Sequence, residues 1–400
     1  MKRLEIPPIS ILGLLALAII FGWFRYGYGL LLPDFRESFG LSASVLGVIS
    51  SLTFITFLTG ALTVIIFISK SGPRLMILGG ILTASTGLLV ASLTDSWLVF
   101  AGAYLVAGLS SGLTWTSFSE SVSENVRKHI QKRTLSIIST GSTIGLVFIS
   151  LLYILLDGAW RWIWGGGAMV GYLILLWAYK SVPSQQRNKE RTAIKMRDLQ
   201  PLFTKASLPF YLASFLFGLT ESTYWTYAAD FVTENFSVPN ANAILFLVAG
   251  AGGIAGLFGG DLISRMGMRR SFVLTIFLYS LSIAVLYFSD GWFFVMTSAF
   301  VFGASFMLYA AYLPIWSARV FPEIPAQGFS ICVIILNVGA IIGPAAFGWM
   351  LTFAAYKLIF WLRESWRCRN CWYFLCEHRI MEKMPLRNEQ CQSNREIHTG

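Results

Sequence analysis

Eleven long apolar stretches divide this chain, and the seventh restarts the pattern of the first about 196 residues later. Phe21, Gly22, Tyr28, Asp34 and Phe35 meet Phe217, Gly218, Tyr224, Asp230 and Phe231 as identities at one offset, with Arg25 opposite Glu221. A second offset of about 195 sets Gly72 and Arg74 against Gly267 and Arg269, and Gly108 and Ser110 against Gly303 and Ser305. The repeat predicts two related halves meeting at a cavity, a plan shared by many membrane transport proteins.

Each stretch runs to about 18 to 24 residues, the length a helix needs to cross roughly 30 Å of hydrocarbon. Helices are required there, because no water is present to satisfy the backbone. Hydrophobic residues make up 56% of the chain and charged ones 12%, with a mean hydropathy of +0.65. That is more apolar surface than a soluble chain of 400 residues buries in one or two cores. The expected helices lie near 9 to 32, 44 to 69, 75 to 93, 97 to 118, 135 to 156, 160 to 180, 207 to 229, 240 to 263, 271 to 288, 292 to 316 and 328 to 352. The domains expected are a six-helix half over 1–181, a linker over 182–206, a second half over 207–355 and an atypical tail over 356–400.

The net charge of +10 raises the question of nucleic acid, but its distribution points to a membrane surface instead. Lys70, Arg74, the cluster from Arg127 to Arg133, the linker lysines, Arg265, Arg269, Arg270 and Arg319 all fall at one set of helix ends. The alternate ends hold little beyond Arg36 and Arg161, with Asp34, Asp95, Asp157, Asp230 and Asp290. By the positive-inside rule the amino terminus is cytoplasmic. Met1-Lys2-Arg3 before an apolar run is not read as a signal peptide, because the run is too long and no cleavage site follows cleanly.

Two charges stand well inside the apolar helices, Arg25 and Glu221. A charge in hydrocarbon costs roughly 3 kcal/mol or more, so each must face a cavity or a partner. Arg25 offers a rigid fork of donors that suits a carboxylate, and Glu221 is the candidate proton-coupling group. A plain Arg25–Glu221 ion pair is the structural alternative. Tyr28, Tyr224 and Trp225 share those helices, and Trp115 and Asn337 are further candidates for the cavity wall. Gly141-x-x-x-Gly145 and Gly339-x-x-x-Gly343 are read as close helix packing.

Each half also repeats a basic turn after its second helix. Gly260 to Arg270 reads GDLISRMGMRR, and the first copy is Ser69-Lys70-Ser71-Gly72-Pro73-Arg74. The former resembles the major facilitator superfamily signature G-x-L-x-D-R-x-G-R-R, with Ser264 at the acidic position. Trp160-Arg161-Trp162, Gly339-x-x-x-Gly343-Pro344 and the opening Phe24-Arg25-Tyr26-x-Tyr28-Gly29 are similar to elements of the same superfamily, the last to a bacterial branch of largely unassigned substrate. The resemblance implies an all-α, twelve-helix transporter with no enzyme activity and no cofactor, moving a small solute with a proton or other coupling ion. It also implies a cytoplasmic gate, for which the candidates are Gly72, Arg74, Glu120, Gly260, Arg265, Gly267, Arg269, Arg270 and Glu323, with Glu120 and Glu323 as partners for Arg74 and Arg269.

After about residue 352 the regularity fails, and eight Lys/Arg residues follow from Lys357 onward. The twelfth helix is therefore expected to be missing or altered, as if the reading frame had changed. Cys368-Arg369-Asn370-Cys371 has metal-ligand spacing but no second pair, and no metal is expected. The favoured reading is proton-coupled transport of a small organic solute, a carboxylate above others; efflux of amphipathic cations and a non-transporting sensor or transporter remnant are the alternatives.

Overall fold

The computed structural model describes residues 7–183, 202–205, 207–254, 262, 265–288, 291–322 and 325–352. The described residues contain helices and no strand. Gly260, Glu323, nearly all of the linker and the tail beyond 352 lie outside them, so the expectation about the twelfth helix does too.

The first membrane helix, α1 (Pro8–Leu30), is followed by a short helix, α2 (Leu32–Phe39). A single helical run over Ala43–Leu93 carries two spans, α3 (Ala43–Ile68) and α4 (Lys70–Leu93). Then come α5 (Trp97–Asn125), α6 (Lys128–Leu155), α7 (Trp160–Ser181), α8 (Leu208–Asn235), α9 (Ala241–Gly253), α10 (Met268–Phe288), α11 (Trp292–Val320) and α12 (Pro325–Leu351). Nine of the described helices are long and apolar enough to cross a membrane. The long helix that does not qualify is α8, rich in Ser, Thr and acid, and it is enclosed: Thr220 to Val232 is buried throughout.

Several helices run further than apolar runs alone suggest. α5 and α6 extend through polar sequence to a turn of two residues, so His129, outside the expected helices, sits in the first turn of α6. α8 continues to Asn235, which puts Asp230 and Glu234 on a helix. Backbone hydrogen bonds propagate once a helix is under way, and polar side chains at the membrane edge do not stop it.

Both repeated turns behave as their glycines require. Gly72 and Gly267 adopt φ of 71° and 78°, a left-handed region that other residues enter only with strain. Gly72 interrupts the helical run within the first turn of α4, and Pro73 follows it.

Within each half the contacts that fix the helices are matched. α1 lies against Gly141 and Gly145 of α6, where an added Cβ would strike the Leu14 and Ala18 carbonyls. α8 lies against Gly339 and Gly343 of α12, where it would strike those of Phe215 and Leu219. Both Gly-x-x-x-Gly elements thus serve close packing, at equivalent seams. Alanine at Gly218, whose Cβ would meet the Leu336 carbonyl, is expected to cost about 1–3 kcal/mol of overpacking. Alanine at Gly102, which has nothing within 4 Å, is expected to gain up to about 1 kcal/mol of helix propensity. Melting temperatures in detergent should move in opposite directions, and equal shifts would show that the α8–α12 seam is not tight.

Candidate functional site

Arg25 and Glu221 line one cavity between the halves. Its wall is built from Arg25, Tyr26, Tyr28 and Gly29 of α1, Ser50, Thr53 and Phe54 of α3, Tyr104 of α5, and Glu221, Ser222, Trp225 and Thr226 of α8. The sequence repeat is visible in this wall: Arg25 and Glu221, Tyr26 and Ser222, and Gly29 and Trp225 are equivalent positions of α1 and α8, and all line it. Residues 221, 222, 225 and 226 form one face of α8 by helical spacing.

The local backbone of α1 is unusual here. Residues Ala18–Tyr26 form a π-helical segment that ends one residue beyond Arg25. Such segments are concentrated at functional sites, because each frees backbone groups and re-aims side chains.

Arg25 is half-buried, and its guanidinium lies 4.3 Å from the centre of the Phe54 ring, 4.8 Å from Phe57 and 5.8 Å from Phe21. Each such contact is worth about 0.5–2 kcal/mol depending on desolvation. The rings cradle the charge but accept no N–H bond of ordinary strength, and no described residue hydrogen-bonds or ion-pairs with the guanidinium. Glu221 is 5% exposed, and its carboxylate likewise has no hydrogen bond or ion pair among the described residues. The alternative of a direct Arg25–Glu221 ion pair is not what the structure holds. Trp225 packs at a tilt against Tyr26 with centroids 4.7 Å apart, and its buried Nε1–H has no acceptor among the described residues.

Tyr28 donates to the Leu46 carbonyl at 2.7 Å and stacks on Tyr104. Three expected residues are elsewhere. Tyr224 is turned into its own half and stacks on Phe302. Trp115 packs edge-on against Phe21 and is 41% exposed. Asn337 is buried in α12 and donates to the Val333 carbonyl of its own helix.

One end of the cavity is sealed. Arg36 of α2 reaches across to Asp230 at 2.7 Å and Glu234 at 2.5 Å, both on α8. Asn242 donates to the Leu30 carbonyl, Ser50 and Thr226 share a bond of 3.0 Å, and Tyr227 donates to Ala43 and Pro344 carbonyls. The remaining space offers about 20 Å³ to the centre of a water-sized molecule, against the roughly 10–15 Å³ one water needs. An organic solute enters only if the halves move.

At the opposite end Arg74 donates to the Tyr179 carbonyl at 2.6 Å and lies over the Tyr179 ring, tying the first basic turn to the end of α7. Glu120 is half-buried near the end of α5. Arg265, Arg269 and Arg270 are exposed, the last two in the first turn of α10. That position is the positive end of their own helix dipole, so the helix does not stabilise them there.

The sealed end and the hydroxyl-bearing walls were not singled out from sequence. Ser50, Thr53, Ser222 and Thr226 look like ordinary helix-bonding hydroxyls, although Ser50-Ser51-x-Thr53 inside an apolar run was an available signal. Asp34 and Asp230 were readable as a repeated pair, and Arg36 as a nearby opposite charge.

Two related helical halves enclosing a charged cavity sealed at one end define a polytopic membrane transport protein. Residues 16–358 match the family described as the uncharacterised MFS-type transporter YbfB, and the chain belongs to that family of the major facilitator superfamily. Solved structures of the same fold include a mutant form of the nucleoside transporter NupG, with TM-score 0.76 and 16% identity over 92% of this chain and 98% of that one. A D-xylose-proton symporter aligns with TM-score 0.78 and 12% identity over 92% and 97%. An inward-facing, occupied bacterial homologue of the human lysosomal transporter Spinster aligns with TM-score 0.65 and 14% identity over 86% and 80%. The family and these neighbours are transporters, not enzymes.

Beside the seal, Tyr153 donates to both Asp34 oxygens at 3.0 and 3.1 Å. Burial pushes the Asp34 carboxyl up to about 7, while the Tyr153 hydrogen bond pulls it down. A raised folded pKa means the folded state holds the proton more tightly, so this contribution is full below about 4 and lost as pH rises through about 7. Stability of the wild type is therefore expected to fall from about pH 4 to about pH 8 more steeply than that of Asp34→Asn. Parallel melting profiles for the two would refute the assignment.

Proposed function

We propose that this chain is a secondary transporter of the cytoplasmic membrane that moves a small carboxylate-bearing solute by alternating access, with Glu221 coupling transport to protons. The observation that carries the reading is a cation and an anion, each without a hydrogen bond or ion pair among the described residues, contributed by opposite halves to one cavity. Unpaired charge in a membrane interior is expensive, and a binding site is the use that justifies it. Arg25 is the carboxylate site, since its donors have no acceptor among the described residues and their fork matches two oxygens.

Glu221 suits proton coupling because opening the cavity to water on alternate faces changes the environment of its carboxyl. One structural neighbour is a proton symporter, which is consistent with that choice. On the positive-inside reading, the Arg36 seal faces outward and the Arg74 turn faces the cytoplasm. The basic turns and their partners then serve as the cytoplasmic gate, and residues 1–181 and 207–355 as the two rocking halves.

A second reading is efflux of amphipathic cations. It is favoured by the aromatic wall of Tyr26, Tyr28, Phe54, Tyr104 and Trp225 with Glu221 among them.

The test is uptake of labelled carboxylates into proteoliposomes under an imposed proton gradient. Arg25→Ala is expected to lower uptake by about tenfold or more, the effect of removing one charged hydrogen-bond partner. Glu221→Gln is expected to abolish accumulation driven by the gradient while leaving exchange of solute across the membrane. Gradient-driven accumulation that survives Glu221→Gln would end the coupling assignment, and uptake of lipophilic cations alone would favour the second reading.

A further inference from the structure

We infer that the solute is a zwitterion of the amino-acid class, its carboxylate taken by Arg25 and the Trp225 indole and its ammonium by Glu221. This rests on the carboxylate-transport reading above and adds the second charge to it.

The argument starts from what each side of the cavity can accept. Arg25 and the Trp225 Nε1–H are donors with no acceptor among the described residues. Glu221 is an acceptor with no donor there, and it is 5% exposed. The neighbouring hydroxyls sharpen the contrast. Thr53 gives its proton to the Ile49 carbonyl at 2.9 Å, and Ser222 gives its own to Gly218 at 2.8 Å. With their protons engaged, these hydroxyls of the lining residues can act only as acceptors and add no donor.

A simple carboxylate would satisfy Arg25 and Trp225 but place a second anion in the same small space as Glu221. A simple amine would satisfy Glu221 and leave Arg25 with nothing but ring faces. A molecule with both charges neutralises both walls at once and is itself neutral overall. In a low-dielectric cavity, where like charges repel strongly and unpaired ones are costly, that is the occupant the arrangement favours. Because Arg25 and Glu221 come from opposite halves, such a solute also links the halves when it binds.

The experiment uses the full-length protein purified in detergent, with equilibrium binding and melting measured against matched trios. L-alanine, L-leucine and L-phenylalanine are each compared with the acid lacking the amino group (propionate, 4-methylpentanoate, 3-phenylpropanoate) and the amine lacking the carboxylate (ethylamine, isopentylamine, phenethylamine). At least one amino acid is expected to bind about tenfold or more tightly than both of its partners, because each analogue leaves one buried polar group unpaired. Glu221→Gln is expected to bring that amino acid and its deaminated acid to within about threefold of each other, and Arg25→Gln to do the same for the amino acid and its amine. Should the Gln variants not fold, Arg25→Lys and Glu221→Asp keep both charges and are expected to retain the zwitterion preference at weaker affinity. A deaminated acid that binds the wild type as tightly as its amino acid overturns the inference and leaves carboxylate transport standing. Binding of amines alone overturns both. If no member of the trios stabilises a protein that melts cooperatively, while carboxylate flux into vesicles is observed, the amino-acid class is wrong and the transport reading survives.

Discussion

The cost of an unpaired charge away from water governs this structure. Arg25 and Glu221 are tolerable only inside an enclosure, and the helices that carry them are the ones most completely wrapped. From Leu17 to Leu32, the chain of α1 and the start of α2 is buried at every position except Arg25, and α8 is buried from Thr220 to Val232. That wrapping explains why α8 can be too polar to qualify as a membrane span by composition and still run through the bundle: its neighbours, not lipid, are its surroundings. The phenylalanines around Arg25 follow from the same cost. They soften the charge without consuming its hydrogen bonds, which keeps the guanidinium available.

The seams within and between the halves differ in their polar content. Within a half, α1 on α6 and α8 on α12 approach until glycine faces backbone carbonyl, a contact that tolerates no sliding by a side chain's width. Between the halves, the contacts around the seal include ion pairs and hydrogen bonds: Arg36 with Asp230 and Glu234, Asn242 with Leu30, Ser50 with Thr226. Gly29 and Gly47 also face backbone carbonyls of the opposite half, those of Trp225 and Pro344, so this seam has close backbone packing as well. Polar partners of this kind exchange for water when the seam parts, whereas a broken backbone-to-backbone contact inside a half would leave a void.

Much of this architecture was legible in the sequence because the repeat constrains it twice over. The offset that pairs Arg25 with Glu221 also pairs Tyr26 with Ser222 and Gly29 with Trp225, and all six line the cavity. Gly72 and Gly267 were readable as bends and have the backbone angles of bends. What the sequence hid was orientation around the helix axis. Tyr28 and Tyr224 are an identity of the repeat, yet one lines the cavity and the other stacks on Phe302. Trp115 and Asn337 had suitable chemistry, but nothing in a run of apolar residues tells which face looks inward. The hydroxyls of the wall were hidden for a different reason, since a Ser or Thr bonded to its own helix looks the same in sequence whether or not its lone pairs face a cavity.

Keeping Arg25 and Glu221 apart has a mechanical meaning beyond their separate chemistry. Each belongs to a different half, so a direct ion pair would be a strut across the interface that has to open. Such a strut would hold the empty protein closed and would have to be broken by any solute, which could then recover only what it had first spent. With no ion pair between them, a solute that met both charges would relieve that cost without first breaking a strut. A ligand shifts a conformational equilibrium only by its differential affinity for the two states. A solute touching both charges binds best where the halves bring them to its own length, and that selects one arrangement over the other without any further device.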